Sequence, residues 1–137
     1  MIYLDSAAVV KLVRQEEHSG ELVDWLNAHQ GVALVSSALV EVEVPRALRR
    51  SAPQSLVGVP AAIGRLFRLE IDATIRATAA AFPQPTLRSL DAIHLATAQV
   101  LANESGATLT AFVTYDQRLL ASAEAAGLPT ASPGQAR

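Results

Sequence analysis

The 137-residue chain has no cysteine, which excludes a disulfide scaffold, a thiolate zinc site and a cysteine nucleophile. It has almost no lysine: Lys11 stands alone beside ten arginines, a skew that genome composition explains as readily as function. Charge is sparse, at 18% of residues with a formal net of −2, and half the residues are apolar; this is the reverse of a disordered composition. No apolar run approaches the roughly 18 residues that cross a bilayer, and no basic N-terminal region leads into an apolar stretch. These absences leave a single globular domain, expected in the cytoplasm and with no membrane partner. The near-neutral total by itself points to no nucleic acid.

What is present alternates in a regular way. Ile2-Tyr3-Leu4 reads as a buried strand stopped by Asp5-Ser6, with Ser6 able to cap the helix that follows. A second helix carries Leu22, Val23 and Leu26, and Val32–Val35 reads as the next strand, with Ser36-Ser37 offering caps for a helix to about Arg50. Pro53, Gly58 and Pro60 break the pattern before a helical stretch over 61–67 and a strand near 68–71. Asp72 is placed to cap a helix to Phe82, and a long helix is expected from Leu90 to about Ser105. Leu109–Val113, a helix over 117–126 and an edge strand over 128–131 complete the domain, 1–131, and 132–137 reads as a loose tail. Apolar strands without polar alternation, each followed by a helix, predict an α/β fold with a mainly parallel sheet of four to five strands covered on both faces.

Against this apolar background the acids stand out. Asp5 ends the first strand and Asp116 follows the fourth by three residues. Ligands of open parallel sheets bind beyond the carboxyl ends of strands, although each aspartate taken alone reads first as an N-cap. Asp91 lies in the first turn of the long helix, between Leu90 and Ala92. Glu41 and Glu43 point to nearly opposite faces of their helix, so only one looks inward. Pro45 disfavours helical geometry at Val44 and predicts a kink beside them. Four inward carboxylates would raise one another's pKa values, a conflict that a hard divalent cation removes. Mg²⁺ or Mn²⁺ in such a cage suits hydrolysis of a phosphodiester by an activated water. His94, one turn beyond Asp91, reads first as a packed helix histidine with a hydrogen bond, and alternatively as a metal ligand or the partner of an acid.

Met1-Ile2-Tyr3-Leu4-Asp5-Ser6-Ala7-Ala8, Ser36-Ser37 with Glu43-Val44-Pro45-Arg46-Ala47, Leu90-Asp91-Ala92-Ile93-His94-Leu95-Ala96-Thr97-Ala98 and Val113-Thr114-Tyr115-Asp116-Gln117-Arg118 occur in this order. Together they resemble the motifs of PIN-domain nucleases, and the size of the chain resembles the VapC toxins of bacterial VapBC pairs. The resemblance implies a PIN-like three-layer α/β/α sandwich with an acidic pocket at the carboxyl edge of the sheet. It implies Asp5, Glu43, Asp91 and Asp116 as catalytic acids, Asp5, Asp91 and Asp116 among them holding Mg²⁺ or Mn²⁺. Glu43 rather than Glu41 fits its Glu-Val-x-Arg-Ala spacing, and Ser6 and Thr114 would support the acids with hydroxyls. Endoribonuclease activity on RNA such as tRNA, rRNA or mRNA, a VapB-type antitoxin and a homodimer are its further implications.

The arginines are unevenly placed. Residues 1–43 carry a net −5, residues 44–90 a net +5, and residues 91–137 a net −2. A solvated helix surface explains such a band, as does an RNA-binding rim, for which Arg46 and Arg49 are the better candidates. Two rivals come from other classes. A receiver-like signalling domain needs a phosphoacceptor aspartate after a middle strand and a late lysine, and this chain has neither. A silent module that binds metal and antitoxin without cutting RNA needs the same acids and is separated only by assay.

Overall fold

The computed structural model describes residues 1–104 and 106–136. Ser105, the expected helix end, and Arg137, the end of the expected tail, lie outside them. The strands are β1 (Ile2–Leu4), β2 (Leu34–Ser37), β3 (Phe67–Leu69), β4 (Ala111–Val113) and β5 (Thr130–Ala131). The helices are α1 (Ser6–Val13), α2 (Ser19–Asn27), α3 (Val40–Ser51), α4 (Val59–Gly64), α5 (Ala73–Ala80), α6 (Ser89–Glu104) and α7 (Gln117–Ala125), with a 3-10 helix at Pro53–Gly58 before α4.

All pairings in the five-stranded sheet are parallel, in the order β3-β2-β1-β4-β5. The chain winds outward from β1 to β3, then returns to place β4 on the other side of β1. The strand order therefore reverses between β1 and β4, and the crevice of an open parallel sheet lies at such a point. Side chains alternate across the sheet, as strand geometry demands. Ile2, Leu4, Ala111 and Val113 pack with α1, α2, α3 and α4 in one core. Tyr3, Val35 and Phe112 pack with Leu95, Ala98, Leu119 and Ala123 of α6 and α7 in the other. The result is the expected three-layer α/β/α sandwich, with the central strands β1 and β4 buried on both faces and the edge strand β3 largely exposed.

Several local expectations shift. β2 lies two residues further on than Val32–Val35, because its register pairs Leu34 with Ile2 and Val35 with Tyr3. Ser36 and Ser37 thus belong to the strand rather than capping α3, and buried Ser36 satisfies its hydroxyl by donating to the Leu4 carbonyl at 2.6 Å. Asp5, not Ser6, caps α1 by accepting from Ala8 N–H at 2.9 Å, whereas Asp72 caps α5 as expected, at 2.9 Å from Ile75 N–H. α3 runs through Pro45. The carbonyl that proline leaves without a helix donor is that of Glu41, an exposed residue that water can satisfy. At the start of the expected tail, Ser132 is buried and donates to the Thr114 carbonyl at 2.6 Å, and Tyr115 donates to the Pro133 carbonyl at 2.8 Å.

Phe112 is fully buried and stacks on Tyr3 with ring centroids 5.1 Å apart. Phe112→Ala is expected to lower the unfolding free energy by about 3–5 kcal/mol, read from the urea midpoint at unchanged slope.

Candidate active site

The ends of β1 and β4 are joined by a hydrogen bond from Asp5 N–H to the Val113 carbonyl at 3.3 Å, which sets the turns after the two strands side by side. Asp5 is 4% exposed, and one of its carboxylate oxygens is committed to the α1 cap. The Thr114 hydroxyl also bonds its carboxylate and accepts from Asp116 N–H at 3.2 Å. Thr114 thus links the two strand-end aspartates. Asp116 in turn caps α7, accepting from Arg118 and Leu119 N–H at 2.9 and 3.1 Å. Capping and site placement are therefore compatible: each cap uses Oδ1 only.

Asp91 enters from the first turn of α6, half-buried. Burial, then the charge of Asp116, pushes its carboxyl above the usual aspartate range; His94 and Arg88 pull it back, and Glu43 adds a further push. Burial likewise pushes Asp5 up, against the pull of His94, Thr114 and the Ala8 N–H, with Asp91 adding to the rise. Asp5, Glu43, Asp91 and Asp116 therefore occupy one electrostatic neighbourhood.

Of the two glutamates, Glu43 is the inward one. Its Oε1 accepts from the Ser6 hydroxyl at 2.7 Å and lies 2.8 Å from His94 Nε2. Burial pushes Glu43 up, but the bonds from His94 and Ser6 outweigh it and hold the carboxyl below the ordinary glutamate value. Glu41 faces away and pairs with Arg68 at 3.3 Å.

A cleft of about 430 Å³ opens beside Glu43, lined among others by Ser6, Val42, Arg46, Arg50 and Leu90. Arg49 is not in its wall. Residues 43, 46, 47 and 50 share a face of α3 at helical spacing, so Arg50 rather than Arg49 accompanies Arg46. That spacing was readable from the sequence. His94 is 2% exposed and engages both ring nitrogens, beyond the one hydrogen bond expected of a packed helix histidine.

The donors that meet here are carboxylate oxygens, which suit a hard divalent cation and not a soft one. The raised carboxyls of Asp5 and Asp91 owe most to burial and the rest to neighbouring acids, and a bound cation would offset both. Among the described residues no three acid or histidine side chains form a ready-made metal cage; the acids act on one another electrostatically without forming a coordination sphere. Asp5, Asp91 and Asp116 are the residues that could hold the ion.

A carboxyl whose folded pKa is raised favours the folded state while protonated, below its unfolded pKa, and that contribution is lost as pH rises through the folded value. Asp5→Asn, which keeps a capping oxygen, is therefore expected to melt above the parent at pH near 7 without divalent metal. The difference should close below about pH 4, the unfolded range of an aspartate; thermal unfolding across that window checks it.

A profile of the PIN domain family matches residues 2–126. The chain is 56% identical over 137 residues to the Ribonuclease VapC35 of Mycobacterium tuberculosis, covering all of both proteins. It is 40% identical over 140 residues to the Ribonuclease VapC47 of the same organism, again covering all of both. Among solved structures it resembles that of Mycobacterium tuberculosis VapC20, described as a Sarcin-Ricin loop cleaving toxin. The TM-score is 0.71 at 18% identity, covering 97% of this chain and all of the other, a likeness of fold. The chain belongs to the PIN-domain family, among its VapC ribonucleases.

Proposed function

We propose that this chain is a divalent-metal-dependent endoribonuclease, the toxin of a VapBC-type toxin–antitoxin pair. The observation that carries the reading is the meeting of four carboxylates, from positions 5, 43, 91 and 116, at the β1/β4 crevice of a chain 56% identical over its length to a ribonuclease. Asp5, Asp91 and Asp116 would hold Mg²⁺ or Mn²⁺, which would supply polarisation of the scissile phosphate and easier ionisation of the attacking water. Glu43, kept ionised by Ser6 and His94, accepts a hydrogen bond from that water. Arg46 and Arg50, on the rim of the cleft, pair with phosphates of the RNA. Thr114 fixes the spacing of Asp5 and Asp116.

The cleft also offers exposed Val42 and Leu90 beside the two arginines, chemistry suited to an amphipathic antitoxin segment with acidic groups. A VapB-type partner that covers it would shut out RNA. The protein acts in the cytoplasm as a homodimer. No helix among the described residues is long and apolar enough to cross a membrane.

RNA cleavage by the purified protein is expected with Mg²⁺ or Mn²⁺ and is expected to stop on chelation. Asp5→Ala should slow it more than about 100-fold, beyond what losing one supporting hydrogen bond costs a metal site. Mn²⁺ binding by calorimetry without cleavage of any RNA would point instead to the silent module. For the rim, Arg46→Ala and Arg50→Ala should each weaken RNA binding and reduce the slope of log affinity against log salt by about 0.7–0.9. Arg49→Ala should leave the slope unchanged.

A further inference from the structure

His94 carries a hydrogen-bond chain that the four acids do not account for. Its Nδ1 lies 2.7 Å from the Tyr3 hydroxyl, its Nε2 lies 2.8 Å from Glu43 Oε1, and Ser6 Oγ lies 3.1 Å from the same nitrogen. An ionised carboxylate only accepts, and Ser6 already gives its proton to Oε1, so Nε2 carries a hydrogen. In the neutral imidazole Nδ1 then holds the lone pair and accepts from Tyr3. Tyr3 is suited to donate: burial keeps its phenol protonated far above the usual range. Its ring is clamped by Phe112 and meets the imidazole edge-on, at 78°.

We infer that His94 is the positioning residue for Glu43, its tautomer set by Tyr3, pinning Oε1 so that Oε2 is presented to the cleft. The inference rests on the ribonuclease reading above for what Glu43 does, but not for how Glu43 is held. His94 does not itself line the cleft, so it reaches the cleft through the carboxylate it holds. The chain runs from the sheet core, through α6, to α3. It ties the orientation of Glu43 to the packing of β1 rather than to the rotamer freedom of an otherwise half-buried side chain.

The test combines kinetics with a spectroscopic readout. His94→Ala is expected to lower kcat about 10- to 100-fold with KM for RNA unchanged. His94→Gln, whose side-chain amide can donate in place of Nε2–H, should regain most of the rate. Combining His94→Ala with Glu43→Gln should be no slower than Glu43→Gln alone, because the two changes remove one function. If His94→Ala does not fold, Tyr3→Phe, which keeps the ring packing, should lower kcat in the same way. NMR of protein with isotope-labelled histidine should show an exchange-protected Nε2–H tautomer whose resonance moves in Glu43→Gln. Additive rate losses, no rescue by glutamine, or a folded His94→Ala protein at full rate would overturn the inference. So would the absence of the protected signal, or a signal indifferent to Glu43, whether or not any RNA is cut. If the signal behaves as expected and the unmodified protein cuts no RNA, the positioning stands and the ribonuclease reading falls.

Discussion

Burial of neighbouring carboxylates at one end of a doubly covered sheet is the constraint on which the rest of this structure depends. Asp5 is nearly inaccessible and Asp91 half-buried, and both have carboxyls pushed upward by burial and by neighbouring acids. Such an arrangement costs stability at neutral pH, and the surrounding scaffold offsets the cost locally. The Ala8 N–H and the Thr114 hydroxyl draw on the Asp5 carboxylate, and the first turn of α7 draws on Asp116. The apolar layers on both sides keep these tethers rigid, since β1 and β4 are fully or almost fully buried.

Glu43 is the exception, and its difference is instructive. Its carboxyl is held below its ordinary value, unlike those of Asp5 and Asp91, because it is the one hydrogen-bonded to a buried imidazole. The site thus divides its acids in two. One pair is held under electrostatic pressure that a cation would release. A glutamate on the facing helix is already hydrogen-bonded by protein groups and stays ionised without one. Separating titratable groups by environment in this way is how a site assigns them different tasks.

Much of this was legible in the sequence, for physical reasons. Short apolar runs with no polar alternation mark strands covered on both faces, and they placed Asp5 and Asp116 at strand ends before any coordinates. Boundaries were less legible. Ser36 and Ser37 look like caps, but the register against β1 draws them into β2, where Ser36 is satisfied by a carbonyl of a strand 32 residues earlier in the chain. The anchors of Ser132 and Pro133, Thr114 and Tyr115, lie 18 residues earlier and leave no local signal. The bonds of His94 leave none either, since its partners, Tyr3 and Glu43, are 91 and 51 residues away. Arg50, by contrast, shares a face with Glu43 and Arg46 by spacing alone.

The account turns on whether a divalent cation relieves the strain among these carboxylates. Calorimetric titration with Mn²⁺, repeated in buffers of different ionisation enthalpy across acid to neutral pH, reads both the binding and the protons exchanged. The account predicts binding that releases protons at acid pH, with the release fading as pH rises past the elevated carboxyl pKa values. Binding with no proton release at any pH, or no binding at all, would contradict it.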